Sequence, residues 1–230
     1  MNRPIPIIAL DVPDAGSALR LVDQLGDAAT FVKVGLQLFV AEGPHIVNAL
    51  RGEGKRVFLD LKLHDIPNTV AHAVKSAAAM KVELLTVHAA GGAAMLRAAA
   101  SAAAGSSVSL LGVTVLTSLG EAELAQAWGR ERVAVEDEVA RLAALAHECG
   151  IPGVVASVHE ITAARRAAAG LKVLTPGIRL AGDDAGDQSR VATPADAARL
   201  GADYIVLGRS VTAAADPAEA LRRAIAELDG

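Results

Sequence analysis

Short runs of aliphatic and β-branched residues alternate along this chain with longer segments rich in alanine and leucine, whose apolar positions recur at helical spacing. The short runs predict strands at Ile5 to Asp11, Phe31 to Val34, Arg56 to Leu63, Leu84 to His88, Val108 to Val115, Gly153 to Ser157, Val173 to Thr175 and Tyr204 to Leu207. The longer segments predict helices at Asp14 to Leu25, Gln37 to Gly52, Asn68 to Lys81, Gly92 to Ala104, Arg132 to Cys149, Val158 to Ala169, Pro194 to Leu200 and Pro217 to Leu228. Eight β/α units with no break in composition predict an α/β chain folded as one (β/α)8 TIM barrel over residues 1–230. A doubly wound open sheet is the alternative. It calls for a Gly-x-Gly-x-x-Gly turn after the first strand, where Asp11-Val-Pro-Asp14 stands instead. The alanine tracts near Ala77 and Ala98 fit helices that lie close to a sheet.

The third strand breaks the apolar pattern. In Phe58-Leu-Asp-Leu-Lys-Leu-His-Asp-Ile-Pro-Asn-Thr69, alternation puts Phe58, Asp60 and Lys62 on one face and Leu59, Leu61 and Leu63 on the other. A leucine row requires a packed layer behind it, so Asp60 and Lys62 point into whatever the sheet encloses. Charges are rarely enclosed without partners. Asp65 completes Asp-x-Lys-x-x-Asp, an ammonium between two carboxylates. Taken alone, Asp65 or Asn68 reads as the N-cap of a helix that begins at Pro67. That reading does not extend to Asp60 and Lys62.

A barrel carries its site at the C-terminal ends of its strands. Polar groups stand at these predicted ends: Asp11, Lys33 before Gly35, Asp60 with Lys62, His88, Thr117-Ser118, Pro176-Gly-Ile-Arg179 and Gly208-Arg209. The last two follow strands seven and eight, where barrels often hold phosphate. Their glycines let backbone N–H groups approach an anion, and Arg209 can make a bidentate contact. The loop from Leu180 to Arg190, rich in Gly and Asp, suits either a lid closing through Gln188 or a plain surface loop.

A Schiff-base lysine needs a lowered pKa. Two flanking aspartates act the other way and should keep Lys62 protonated, which favours a proton donor and electrostatic stabiliser. A metal site is disfavoured, because the acidic cluster has a cation at its centre and the histidines at 45, 64, 72 and 88 form no i, i+4 pair. His64 and His88 read as structural, the latter as a hydrogen-bonded residue at a strand end.

Composition narrows the function classes. Lys plus Arg total 22 against 26 acidic residues, aromatics are 2%, and no basic run appears, so nucleic acid is not expected as a partner. The apolar run at Met1 to Asp11 is too short for a signal peptide and ends in a charge, and no segment approaches a membrane span. A soluble, cytoplasmic protein is expected. Cys149 is the only cysteine, which excludes an intrachain disulfide and reads as a buried spectator thiol.

Asp60-Leu-Lys-Leu-His-Asp-Ile-Pro-Asn-Thr69 resembles the signature of the orotidine 5′-phosphate decarboxylases. The resemblance extends through Ala9-Leu-Asp11, Lys33-Val-Gly35, Thr86-Val-His-Ala-Ala-Gly-Gly92, Val113-Thr-Val-Leu-Thr-Ser118, Pro176-Gly-Ile-Arg179, Gly186-Asp-Gln-Ser-Arg190 and Leu207-Gly-Arg209, departing at Ala90, where serine is common. It implies decarboxylation of orotidine 5′-monophosphate (OMP) to UMP with no cofactor and no metal. It also implies roles. Lys62 protonates carbon 6, Asp60 lies beside the departing carboxylate, and Asp65 with Ile66 and Thr69 reaches the site from the other subunit of a homodimer. Asp11 and Lys33 hold ribose hydroxyls, Thr117 lies by the pyrimidine, and Arg179, Gln188, Gly208 and Arg209 hold phosphate. Two alternatives stay open: a magnesium-dependent sugar-phosphate decarboxylase or synthase on a related barrel, and a nucleotide-binding barrel without activity.

Overall fold

The computed structural model describes residues 3–180 and 192–228. Eight parallel strands close into a barrel in chain order: β1 Ile5–Ala9, β2 Phe31–Gly35, β3 Arg56–Leu63, β4 Leu84–His88, β5 Ser109–Val113, β6 Gly153–Val155, β7 Lys172–Ile178 and β8 Tyr204–Leu207. β8 returns to pair with β1, Ile5 opposite Tyr204 and Ile7 opposite Val206.

Side-chain parity builds two cores. Ile8, Val32, Leu59, Leu85 and Ile205 face outward into the layer beneath the helices. Ile7, Ala9, Phe31, Phe58, Leu84, Leu111, Leu174, Tyr204 and Val206 fill the barrel's interior. Each large side chain so buried contributes about 1.5–3 kcal/mol. The floor is closed by Arg56, which pairs with Glu83 and lies 4.2 Å over the Phe31 ring, while Phe31 meets Tyr204 edge-on at 6.4 Å. The same inward parity, continued toward the C-terminal ends, passes from apolar to polar: from Ala9 to Asp11, from Phe31 to Lys33 and from Phe58 to Asp60. The filled lower half of the barrel is therefore a rigid base for a polar cleft.

The helical layer contains α1 Ala15–Leu25, α2 Leu36–Glu42, α3 Pro44–Gly52, α4 Pro67–Ala79, α5 Gly92–Ala103, α6 Glu121–Ala127, α7 Val135–Glu148, α8 Ile161–Ala167, α9 Pro194–Leu200, α10 Arg209–Thr212 and α11 Pro217–Ala226. The Asp14 carboxylate caps α1 by accepting the Ser17 N–H at 2.7 Å. Small residues bring helices near the sheet as expected: a Cβ added at Gly112 on β5 would lie 3.2 Å from the Ala146 Cβ on α7. Cys149 is buried among apolar neighbours.

Several boundaries differ from the sequence expectation. The single helix expected from Gln37 to Gly52 is divided, because Gly43 takes φ +59° and Pro44 begins a new helix. The segment expected as one helix from Val158 opens as a 3-10 turn, Val158–Glu160, capped by Ser157. The helix expected from Arg132 starts at Val135, and α6 and α10 were not anticipated. β7 runs past Thr175 because a register shift between Thr175 and Ile178, with Gly177 at φ +76°, carries it through Pro176.

Candidate active site

The interior opens at the C-terminal ends of the strands into a cleft of about 310 Å³. Asp11, Lys33, Asp60, Lys62, Thr117, Arg179, Gly208 and Arg209 all line it, so residues far apart in the chain meet where strand parity and the barrel bring them. Its deep wall is apolar, formed by Ala9, Phe58, Leu174 and Val206.

Four charges of alternating sign cross one side of the cleft. The Lys62 ammonium donates to Asp60 Oδ2 at 2.8 Å, Lys33 Nζ lies 3.9 Å from the same oxygen, and Lys33 donates to Asp11 Oδ1 at 2.9 Å. Burial deepens inward: the Lys33 side chain is 10% exposed and Asp60 13%, against 62% for Asp11 at the rim. Charged groups at such depth require partners, and here each has one. Gly35 makes room for this array, since a Cβ there would stand 3.0 Å from Lys33 Nζ and 3.1 Å from Asp11 Oδ1.

Lys62 reaches the cleft by a route that simple alternation does not describe. Leu59 pairs with Leu85 and Leu63 with Val87, so four steps on β3 face two on β4, and Lys62 takes φ +49° inside this bulge. Left-handed backbone at a lysine is uncommon and is held by its surroundings. Here the Lys62 N–H donates to Thr86 Oγ1 at 2.8 Å, and that hydroxyl donates to Asp60 Oδ1 at 2.9 Å. Thr86 is fully buried and locks both Asp60 and the Lys62 backbone. Thr86 opens the motif Thr86-Val-His-Ala-Ala-Gly-Gly92, yet nothing in the motif itself marks this role. Its signal was parity, because Leu84, an interior residue, lies two positions before it on the same face.

The rest of the lining comes from the ends of β5, β7 and β8 and the residues that follow them. Thr117 and Ser118 follow β5, Pro176, Gly177 and Arg179 come from the end of β7, and Gly208 and Arg209 follow β8. Among the described residues no heavy atom lies within 4 Å of a Cβ added at Gly208, so a ligand oxygen can approach that backbone. Gln188 lies outside the described residues, as does most of the loop from Leu180 to Arg190.

Asp65, Ile66 and Thr69 do not line this cleft. The segment His64 to Thr69 is exposed, with Ile66 66% accessible. Asp65 Oδ1 accepts the N–H of Ile66 at 2.6 Å, and among the described residues Lys62 pairs with Asp60 and not with Asp65. The capping expectation is corrected too. α4 does begin at Pro67, but its N-cap is Ile66, and neither Asp65 nor Asn68 caps it. His64 and His88 stack with ring centroids 5.2 Å apart. His88 is not the hydrogen-bonded strand-end residue expected, for its buried Nδ1 has no partner among the described residues. Burial, and then the neighbouring His64 and Lys62, push its pKa below the ordinary histidine value.

Comparison with known proteins bears on what such a cleft does. Residues 4–224 match the model of the "Orotidine 5'-phosphate decarboxylase / HUMPS family". The orotidine 5'-phosphate decarboxylase of Moorella thermoacetica is 50% identical, over 97% of this chain and 91% of its own. That of Pseudomonas aeruginosa is 48% identical over 96% of each. The crystal structure of the decarboxylase from Lactobacillus acidophilus superposes with a TM-score of 0.86 at 34% identity, covering all of both chains.

Proposed function

The chain belongs to the orotidine 5′-phosphate decarboxylase / HUMPS family, and from that premise we propose that it converts OMP to UMP using its own side chains. The observation that carries this reading is the Lys62 ammonium at 2.8 Å from Asp60, inside a cleft also lined by Arg179, Gly208 and Arg209. As the bond from carbon 6 to the carboxyl breaks, its electron pair stays on carbon 6 and carbon dioxide departs. The proton on Lys62 Nζ then passes to carbon 6, and the lysine is recharged from solvent. A carbanion growing beside a fixed ammonium gains most in the transition state, where stabilisation raises the rate. Asp60, held by Thr86 and Lys62, faces the departing carboxylate and keeps the ammonium in place.

In this reading Asp11 and Lys33 bind ribose hydroxyls, and Thr117 adjoins the pyrimidine. Arg179, Gly208, Arg209 and Gln188 bind the phosphate. Asp65, Ile66 and Thr69 serve the site of a second copy in a homodimer. The accessible Ile66, with Leu36 53% and Val40 81% exposed on α2, supplies apolar surface for such an association. No helix of the described residues is long and apolar enough to cross a membrane. A cytoplasmic location accompanies the reading, because substrate and product are both soluble nucleotides.

The other enzyme reading is the magnesium-dependent sugar-phosphate decarboxylase or synthase that the Asp-x-Lys-x-x-Asp motif left open. Incubation with OMP in EDTA separates the two: steady loss of orotate absorbance is expected. No turnover of OMP, with metal-dependent turnover of a sugar phosphate instead, would overturn the proposal.

A further inference from the structure

We propose that Arg130 is a positioning residue, tethered through Glu138 of α7 so that the segment after β5 holds the base end of the cleft; this rests on the assignment of Thr117 to the pyrimidine. The chain leaves β5, supplies Val115, Leu116, Thr117 and Ser118 to the cleft, forms α6 and turns back through Gly129 at φ +61° before entering α7. Leu124 of α6 packs into the outer core. Beyond it, the Arg130 N–H donates to the Ala125 carbonyl at 2.9 Å, closing the turn, and its guanidinium pairs with Glu138.

Glu138 is anomalous on its helix. The buried residues of α7 are otherwise apolar, Val135, Val139, Leu142, Ala143 and Ala146, yet the Glu138 side chain is only 6% exposed. A carboxylate at that depth destabilises a fold unless it is paired. Its second oxygen accepts from Arg141 Nε at 2.7 Å, an i, i+3 contact within α7. The Arg141 bond links nothing beyond the helix, whereas the Arg130 bond joins α7 to the end of the segment that begins at the cleft. A displacement of that segment would move Thr117 and Ser118 and leave the Gly208 and Arg209 side untouched.

The two arginines form a matched pair for testing, since removing either leaves Glu138 with one guanidinium. Arg130→Met and Arg141→Met would be compared for affinity toward UMP and toward ribose 5-phosphate, with KM and kcat for OMP measured alongside. Arg130→Met is expected to weaken UMP about fivefold and to raise KM by a similar factor with a smaller change in kcat, leaving ribose 5-phosphate binding unchanged. Arg141→Met is expected to alter neither ligand. Unchanged UMP affinity in Arg130→Met, equal losses for both ligands, or the same loss in Arg141→Met would overturn the tether. Thr117→Val distinguishes the underlying assignment. If it weakens UMP selectively and Arg130→Met does not, only the tether is wrong; if it fails to separate the ligands, the base-end assignment falls and the tether with it.

Discussion

The Thr86 hydroxyl accepts the N–H of Lys62 at 2.8 Å while donating to the Asp60 carboxylate at 2.9 Å. One neutral group thus fixes both the backbone of the proposed proton donor and the side chain that holds its ammonium. Thr86→Val keeps the shape and deletes the hydroxyl, leaving a half-buried N–H without this acceptor at a cost of about 1 kcal/mol. The expected result is a fall in kcat of roughly ten- to a hundredfold with UMP affinity largely retained, as for a group that aligns the reaction more than it binds the ligand. Thr86→Ser should stay near wild type. Single-turnover decarboxylation of both variants checks this, and a Thr86→Val rate equal to wild type would contradict it.

His88 predicts a pH dependence of stability. Burial, with His64 and Lys62 beside it, lowers its pKa in the folded chain below the ordinary 6.5. As pH falls through 6.5, the unfolded chain takes up a proton that the folded chain refuses. Stability is therefore lost from about 6.5 downward, and the loss levels off below the folded value. Urea midpoints between pH 7.5 and 5.5 should fall more steeply for wild type than for His88→Asn. Parallel slopes would show that His88 does not make this contribution.

Strand parity made much of the site legible. Asp11, Lys33 and Asp60 each fall on the face that carries apolar residues deeper in the barrel, so their convergence followed once eight parallel strands were expected. Thr86 was missed because a threonine in a strand reads as a β-former, and its hydrogen bonds depend on the neighbouring strand's register. The bulge at Lys62 left no mark either, since positive φ there falls on a lysine and not on a glycine. By contrast, the break at Gly43-Pro44 was written in residues that punctuate helices. Asp65 lies beyond the strand, where alternation no longer fixes which way a side chain points.

The outward placement of Asp65 yields a complementation test. Lys62→Ala and Asp65→Asn chains, each expected to be nearly inactive alone, would be co-expressed. If sites are shared, each mixed dimer has one site with both substitutions and one with neither. Random pairing makes about half the dimers mixed, which predicts roughly a quarter of wild-type activity. Recovery at the background of the two parents would refute the shared site, leaving the decarboxylase reading intact.

The central claim is that Lys62 supplies the proton while other groups bind the nucleotide. Lys62→Ala removes a transition-state charge and spares Arg179, Gly208 and Arg209, so rate and affinity should separate. The measurement is single-turnover decarboxylation of OMP by Lys62→Ala, with UMP affinity determined on the same preparation. The account predicts that decarboxylation is lost while UMP still binds within about tenfold of wild type. A variant that keeps more than about a tenth of the wild-type rate would contradict Lys62 as the proton donor.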